Sequence, residues 1–281
     1  MKLHEVLTLA DDPVLASWGI AAALDDADLE QLGTAVDTAR DKARAVLAGR
    51  GWVDPTAWVS PHAVLGAGVI VGPGCRIHEF ATVRGGSILA ADVEIGHGCE
   101  VARSVIASHT RLTHQVTVCD AVIGQAAHLA AGVVLGSVHL WNEDMSRPDR
   151  PILVRTGRAT TRLCGRVKFG GVLGDRVRVG MGALLGPGLL VGADAVLYPG
   201  LSLSEQLIPA RMVARPAPAP IRIEPRRDHR PHDQRPRGRP GTSCAGAAGQ
   251  LTTRPPPGGR EVHREDRRCG TTTNGASCRR S

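Results

Sequence analysis

Aromatic residues are nearly missing from this chain. Its 281 residues include four Trp, two Phe and one Tyr, or 2%. A core of ordinary width draws much of its volume from aromatic side chains, so the interior here must be narrow and filled by aliphatic ones. Long apolar runs are missing too: none approaches the roughly 20 residues that a membrane-spanning helix needs. The opening stretch, 1–20, carries Glu5, Asp11 and Asp12 and shows no basic segment followed by an apolar one. The sequence therefore reads as lacking a secretory signal, and the expected compartment is the cytoplasm. The seven cysteines form no CxxC pair, which argues against a zinc knuckle. Scattered thiols in a cytosolic chain are expected to stay reduced.

Charge is unevenly spread. Of 34 basic and 27 acidic residues, 15 and 6 lie beyond residue 214, which leaves +9 on that stretch and −2 on the rest. The body thus offers no electrostatic reason to bind nucleic acid. The stretch from about residue 207 loses all regular pattern. Beyond residue 214 it holds ten prolines, with Ile221, Ile223, Leu251 and Val262 as its only large aliphatics. That is too little apolar surface to offset chain entropy, so a disordered tail over 207–281 is expected. Its RPRGRP and REDRRC runs read as solvated charge, with an anionic-surface patch as the alternative.

What is present is a period of six. Val53, Val59, Leu65, Val71, Ile77, Val83, Leu89, Ile95 and Val101 follow one another at that spacing, and every one is aliphatic. Four residues after each stands a small or β-branched side chain, such as Ala57, Ala63, Cys75, Ala81 and Cys99. The register slips by one to Ile106, Leu112 and Val118, and again to Ile123, Leu129 and Leu135. It resumes at Leu173 and runs to Leu203. Each hexad is read as a short strand and a turn, and three hexads close one triangular coil of about 18 residues. The predicted fold is an all-β parallel solenoid of about seven coils over residues 51–206.

Two segments interrupt the pattern. Residues 1–50 precede it, and from Asp25 they carry Leu29, Leu32, Val36, Ala39, Ala43 and Val46 at helical spacing. An amphipathic helix of about 22 residues is expected, packed on the first coils or on a neighbouring subunit. Residues 137–168 form an excursion with Trp141, two prolines and six arginines. Insertions of this length in a repeat array serve function or assembly.

The stretch 79–136 carries the most specific text. Val83-Arg84-Gly85, Cys99-Glu100-Val101, Thr113-His114-Gln115-Val116-Thr117-Val118-Cys119-Asp120 and Ala121-Val122-Ile123-Gly124 stand in that order. They resemble the acetyltransferase half of the bifunctional glucosamine-1-phosphate acetyltransferase/N-acetylglucosamine-1-phosphate uridyltransferase family, including its archaeal sugar-1-phosphate relatives. The resemblance runs from about residue 53 to 205. It implies a left-handed β-helix, a homotrimer with sites between subunits, and acetyl-CoA as co-substrate. Its acceptor is an amino-sugar phosphate. The uridyltransferase half has no counterpart: no Gly-rich nucleotide loop is seen, and the stretch 1–50 ahead of the repeat is too short for such a domain. By position the resemblance makes His114 the general base. Arg84, Glu100, Arg103, Thr117 and His128 would contact substrate, and Gly182, Ala183 and Gly186 the CoA.

The pocket departs from the family at Ala102, where the family has Lys; at Thr117, where it has Tyr; and at His128 and about Ser137, where it has Asn. Two other readings stay open. A γ-carbonic-anhydrase-like metal enzyme would use His109 and His114 with His78 or His97. A non-catalytic solenoid would bind a sugar nucleotide or a partner chain.

Overall fold

The computed structural model describes residues 1–47, 52–155, 161–164 and 166–217. Residues Met1–Arg222 cluster as one compact unit, and the second unit, Ile223–Ser281, lies outside the described residues. Of the tail expected over 207–281, the part beyond residue 217 lies outside them too, whereas its first residues continue the repeat as the strands Leu207–Ile208 and Val213–Ala214.

The aliphatic period forms three parallel sheets, one for each side of a triangular coil. Face 1 has eight strands, from Trp58–Val59 through Arg111–Leu112 and His128–Leu129 to Val213–Ala214. Face 2 has seven, from Val64–Leu65 to Ser202–Leu203, and face 3 has seven, from Ile70–Val71 to Leu207–Ile208. The array therefore starts an eighth turn beyond the expected seven. Trp58 lies opposite Arg76, an offset of three hexads and hence one coil. The repeat aliphatics and their small partners make a single core: Val71, Ile77, Val83, Leu89 and Ile95 are buried together with Cys75, Ala81 and Cys99. Hydrogen bonds between coils run the length of the stack, as from Ser60 N to Ile77 O (2.8 Å) and from His78 N to Ile95 O (2.9 Å).

The one-residue slips have a structural cause. Glu94 pairs with Arg111 and Ile88 with Val105, so these coils are each shorter by a single position than three full hexads. The missing residue comes from the corner between faces 2 and 3. Gly85 and Gly86 turn it in one coil; Arg103 alone and Asp120 alone turn it in the next two, each at a φ of 52°. A left-handed backbone at a non-glycine residue is costly unless the surroundings hold it. Here the two side chains hold each other: Arg103 Nε and Nη2 donate to the Asp120 carboxylate at 2.6 and 2.7 Å.

Face 3 is covered. Its outward side chains Ile70, Ile88, Val105, Val122, Val172 and Leu190 are all buried, in a second core shared with residues 3–43. The covering segment contains α1 (Pro13–Ser17), α2 (Ala21–Asp25) and α3 (Leu32–Val46). The helix expected from Asp25 onward is therefore shorter, and it starts at Leu32. Asp28 bridges Lys2 in an antiparallel pair and Leu29 N donates to Met1 O, which ties the chain there out of helical geometry.

Three buried carboxylates fix this cover. Asp12 accepts from Val14 N and Leu15 N at the start of α1 and from Ser108 N (2.7 Å) on the solenoid. Asp25 accepts from Leu9 N and Ala10 N, and burial pushes its carboxyl above the usual range. Asp175 joins Thr8 N to Gln125 N. The excursion is drawn into the same core through Ile152, Val154 and Cys164, with Phe169 just after it, and it contains an antiparallel strand pair, Leu153–Arg155 with Thr161–Leu163. Leu140 and Trp141 stay out, 84% and 75% exposed. Among the described residues no helix is long and apolar enough to cross a membrane.

Two outcomes are expected. Asp12→Ala strands two buried N–H donors, of Leu15 and Ser108, and the half-buried one of Val14, and should cost about 2–4 kcal/mol in chemical denaturation, with Asp12→Asn milder. Burial raises the thiols of Cys75 and Cys164 to about 11. Near pH 8 only about one in a thousand is thiolate, so iodoacetamide should leave both unmodified in native protein and label both in denaturant.

Candidate functional site

The corner between faces 1 and 2 places His114. Glu79, His97, His114, Ala131 and Met181 occupy successive positions of that corner. Each carbonyl accepts from the coil above: Glu79 O from Gly98 N, His97 O from Gln115 N, His114 O from Gly132 N and Ala131 O from Gly182 N, all at 2.9–3.1 Å. The residue after each has positive φ, which Gly98, Gly132 and Gly182 adopt freely. Behind His114 that place belongs to Gln115, at φ 52°. His114 is therefore anchored through its backbone, and the residue is exposed.

Beside it lies a hollow of about 360 Å³ lined by His78, Glu94, His97, Arg111, His114 and His128 among others. Face 1 supplies Glu94, Arg111 and His128 on adjacent strands, and the corner supplies the two stacked histidines. Glu94 is shared: Oε1 lies 3.1 Å from His78 Nε2 and Oε2 lies 3.5 Å from Arg111 Nε. Four imidazoles, those of His78, His97, His114 and His128, thus line one hollow. A larger hollow of about 500 Å³ on the helical cover is lined by alanines and threonines, with Asp26 its one titratable group.

The predicted site residues divide around this corner. His114 and His128 meet at the hollow. Arg84, Glu100 and Thr117 lie on face 2, Thr117 directly opposite Glu100. Arg84 Nη2 and Glu100 Oε1 are 2.6 Å apart, so these two hold each other. Arg103 sits at the far end of face 2, its guanidinium engaged by Asp120, which holds its pKa above the usual value. Its carbonyl accepts from Arg40 Nη2 of α3 at 2.7 Å. Arg103 thus locks the face 2–face 3 corner to the helical cover, away from His114.

Gly182 shares the His114 corner two coils on, and a Cβ there would meet open space. Ala183 is fully buried, and Gly186 faces Ser204. Exposed Met181 and Leu184 are the side chains that this level presents outward. His78, Glu94 and Arg111 were not singled out as substrate contacts. Glu94 and Arg111 stand at outward places of the repeat, two coils and one coil from His128, and His78 follows the repeat aliphatic Ile77.

The metal reading does not assemble within one chain. His109 sits at a different corner, between faces 3 and 1, with Nδ1 3.6 Å from Asp92 Oδ2. Among the described residues no group of three or more His, Cys, Asp or Glu could hold a metal ion. Cys75, Cys99, Cys119 and Cys164 are free thiols, as expected.

Residues 47–144 match the family model described as the GMPPB C-terminal domain. The chain is 40% identical over 65 residues to bifunctional protein GlmU of Azoarcus sp. (strain BH72), covering 23% of this chain and 14% of that protein. It is 41% identical over 64 residues to the GlmU of Ralstonia pickettii (strain 12J), with the same coverages. Over this stretch the chain resembles GlmU. It spans 14% of the length of these curated relatives. Among solved structures, AntD, an N-acyltransferase from Bacillus cereus in complex with dTDP and 3-hydroxybutyryl-CoA, aligns with a TM-score of 0.36 at 14% identity, covering 62% of this chain and 84% of that one. An Arabidopsis UDP-N-acetylglucosamine acyltransferase aligns at 0.31 and 14%, covering 58% and 67%.

Arg103→Ala should cost about 2 kcal/mol of stability once its partial exposure is discounted, because it leaves the Asp120 carboxylate buried without its fork. Thermal denaturation and substrate affinity measured together separate this role from a binding one: stability should fall and affinity should hold.

Proposed function

We propose that this chain transfers an acyl group, acetyl in the first instance, from CoA to the amine of an amino-sugar phosphate, with His114 as general base. The observation that carries the reading is the placement of His114. It stands at the exposed corner of a solenoid, beside a hollow with cationic and carboxylate side chains, within a segment whose text resembles GlmU.

The chemistry asks three things of the protein. The acceptor amine must be held as a free base against the thioester carbonyl. As nitrogen attacks and becomes cationic, its proton must go to a neutral group within hydrogen-bond reach, and the imidazole of His114 takes it. The carbonyl π pair moves to oxygen, then returns as the C–S bond breaks, and the proton held on His114 goes to the departing thiolate. Atoms and charge balance with no further reactant. The phosphate of the acceptor needs cations, and Arg111 offers a planar fork suited to it. Arg84, paired with Glu100, and Thr117, three residues after His114, lie on face 2, the side of the coil that follows that corner. They are assigned to the sugar.

Gly182 and Gly186, which present no side chain, and Ala183, whose methyl points inward, leave the wall above His114 to backbone and to Met181 and Leu184. That is an apolar strip of the kind a pantetheine arm can follow. We assign the assembly as a homotrimer, with Leu140 and Trp141 as the exposed apolar anchors of the contact.

Free-thiol release from acetyl-CoA, with glucosamine-1-phosphate and a panel of amino sugars as acceptors, tests the assignment. His114→Ala should lower kcat by roughly 10²–10⁴-fold. Turnover that survives the substitution unchanged removes His114 as the base. No turnover with any acceptor, and no saturable CoA binding, removes acyl transfer.

A further inference from the structure

Face 1 presents a row of outward side chains in strict register: Arg76, Glu94, Arg111, His128 and Arg178 lie opposite one another on consecutive strands. Up to Arg111 the signs alternate, and Glu94 stands between the two arginines. Beyond it the alternation stops. Arg111, His128 and Arg178 follow with no carboxylate between them, and all three are exposed. Three other coil arginines are matched, Arg84 with Glu100, Arg103 with Asp120 and Arg176 with Asp194, and Arg111 itself leans on Glu94 at 3.5 Å on the side away from His128. Arg178 pairs with no carboxylate among the described residues.

An outward place on a solenoid accepts almost any polar residue, so coil packing does not call for two arginines flanking a histidine in line. An anion lying along the row meets donors on all three strands. Its size follows from the strand spacing: Arg111 and Arg178 are two steps apart, roughly 10 Å between backbones. A single phosphate serves one step. Two linked phosphates reach both forks, with His128 between them, and each guanidinium can grip in bidentate fashion. The row also has a direction, since Arg111 and His128 line the hollow beside His114 and Arg178 lies outside it.

We infer that Arg111, His128 and Arg178 form a binding site for a diphosphate ester. That this ester is a substrate whose reacting end reaches His114 rests on the acyl-transfer reading above; the site itself rests on register and charge. The diphosphate belongs either to a nucleotide-linked acceptor or to CoA.

Calorimetric titration of the full chain with inorganic pyrophosphate and with inorganic phosphate tests it. One site per chain is expected, with pyrophosphate about tenfold tighter than phosphate, and about tenfold weaker pyrophosphate binding in Arg178→Gln or Arg111→Gln. Arg178→Lys, which keeps the charge and loses the fork, should fall between. Arg76→Gln, on the same face but beyond Glu94, should stay within about twofold of wild type. Displacement of pyrophosphate by uridine diphosphate names the acceptor as the source, and displacement by CoA names the donor.

The inference fails if pyrophosphate shows no saturable binding, or if Arg76→Gln weakens it as much as Arg178→Gln, which would mark a diffuse field. It fails equally if Arg178→Gln leaves binding intact but changes the oligomer mass by light scattering, which would make the row a subunit contact. The titration reads no turnover. Binding in a protein that transfers no acyl group keeps this site and removes the acyl-transfer reading, and turnover without binding does the reverse.

Discussion

The stack of backbone hydrogen bonds from one coil to the next is what everything else in this protein depends on. Each coil donates to the next at a pitch set by the strand spacing, and the aliphatic residue of each hexad fills the only space left inside. A narrow triangular interior cannot admit large rings, which is why a chain so poor in aromatic residues still has a continuous core. The same pitch sets the site. It puts His97 beneath His114 and Arg111 between Glu94 and His128, so residues a full coil apart in the chain become neighbours. Chemistry on this fold is written at coil spacing.

That explains what the sequence makes legible. The interior aliphatics, the three-hexad coil and the position of His114 at a corner follow from the six-residue period alone. Even the register slips were visible, and they turn out to be the tightened corner where Arg103 and Asp120 replace two glycines. The covered face was readable in principle. Ile70, Ile88, Val105, Val122, Val172 and Leu190 each precede a repeat aliphatic, so every third hexad carries a doublet whose first member points out. A single-period reading does not notice a second period of three hexads laid over it.

The site was less legible, for a physical reason. The resemblance makes Arg103, next to Ala102 in sequence, a substrate contact. Its partner, Asp120, occupies the equivalent corner of the next coil, and the pair serves to hold a strained turn. Arg84 and Glu100, chosen separately, prove to be a pair for the same reason. His78, Glu94 and Arg111 gain their meaning only from the hollow that they share. The start of α3 likewise depends on a contact with residues 1 and 2, which helical periodicity does not register.

The helical cover has a consequence for how the molecule comes apart. A bare repeat array is nearly one-dimensional: each coil touches only its neighbours, and unfolding can begin at either end and travel inward. Here the N-terminal segment, together with part of the excursion, covers six successive strands of face 3, and it is tied to the coils at three separate points, through Asp12, Arg40 and Asp175. It acts as a strap across the rungs. Coils beneath it cannot be released one at a time, so a modular array is converted into one cooperative unit. The terminal coils that begin with Trp58 and end with Val213 are left as the places where local opening costs least.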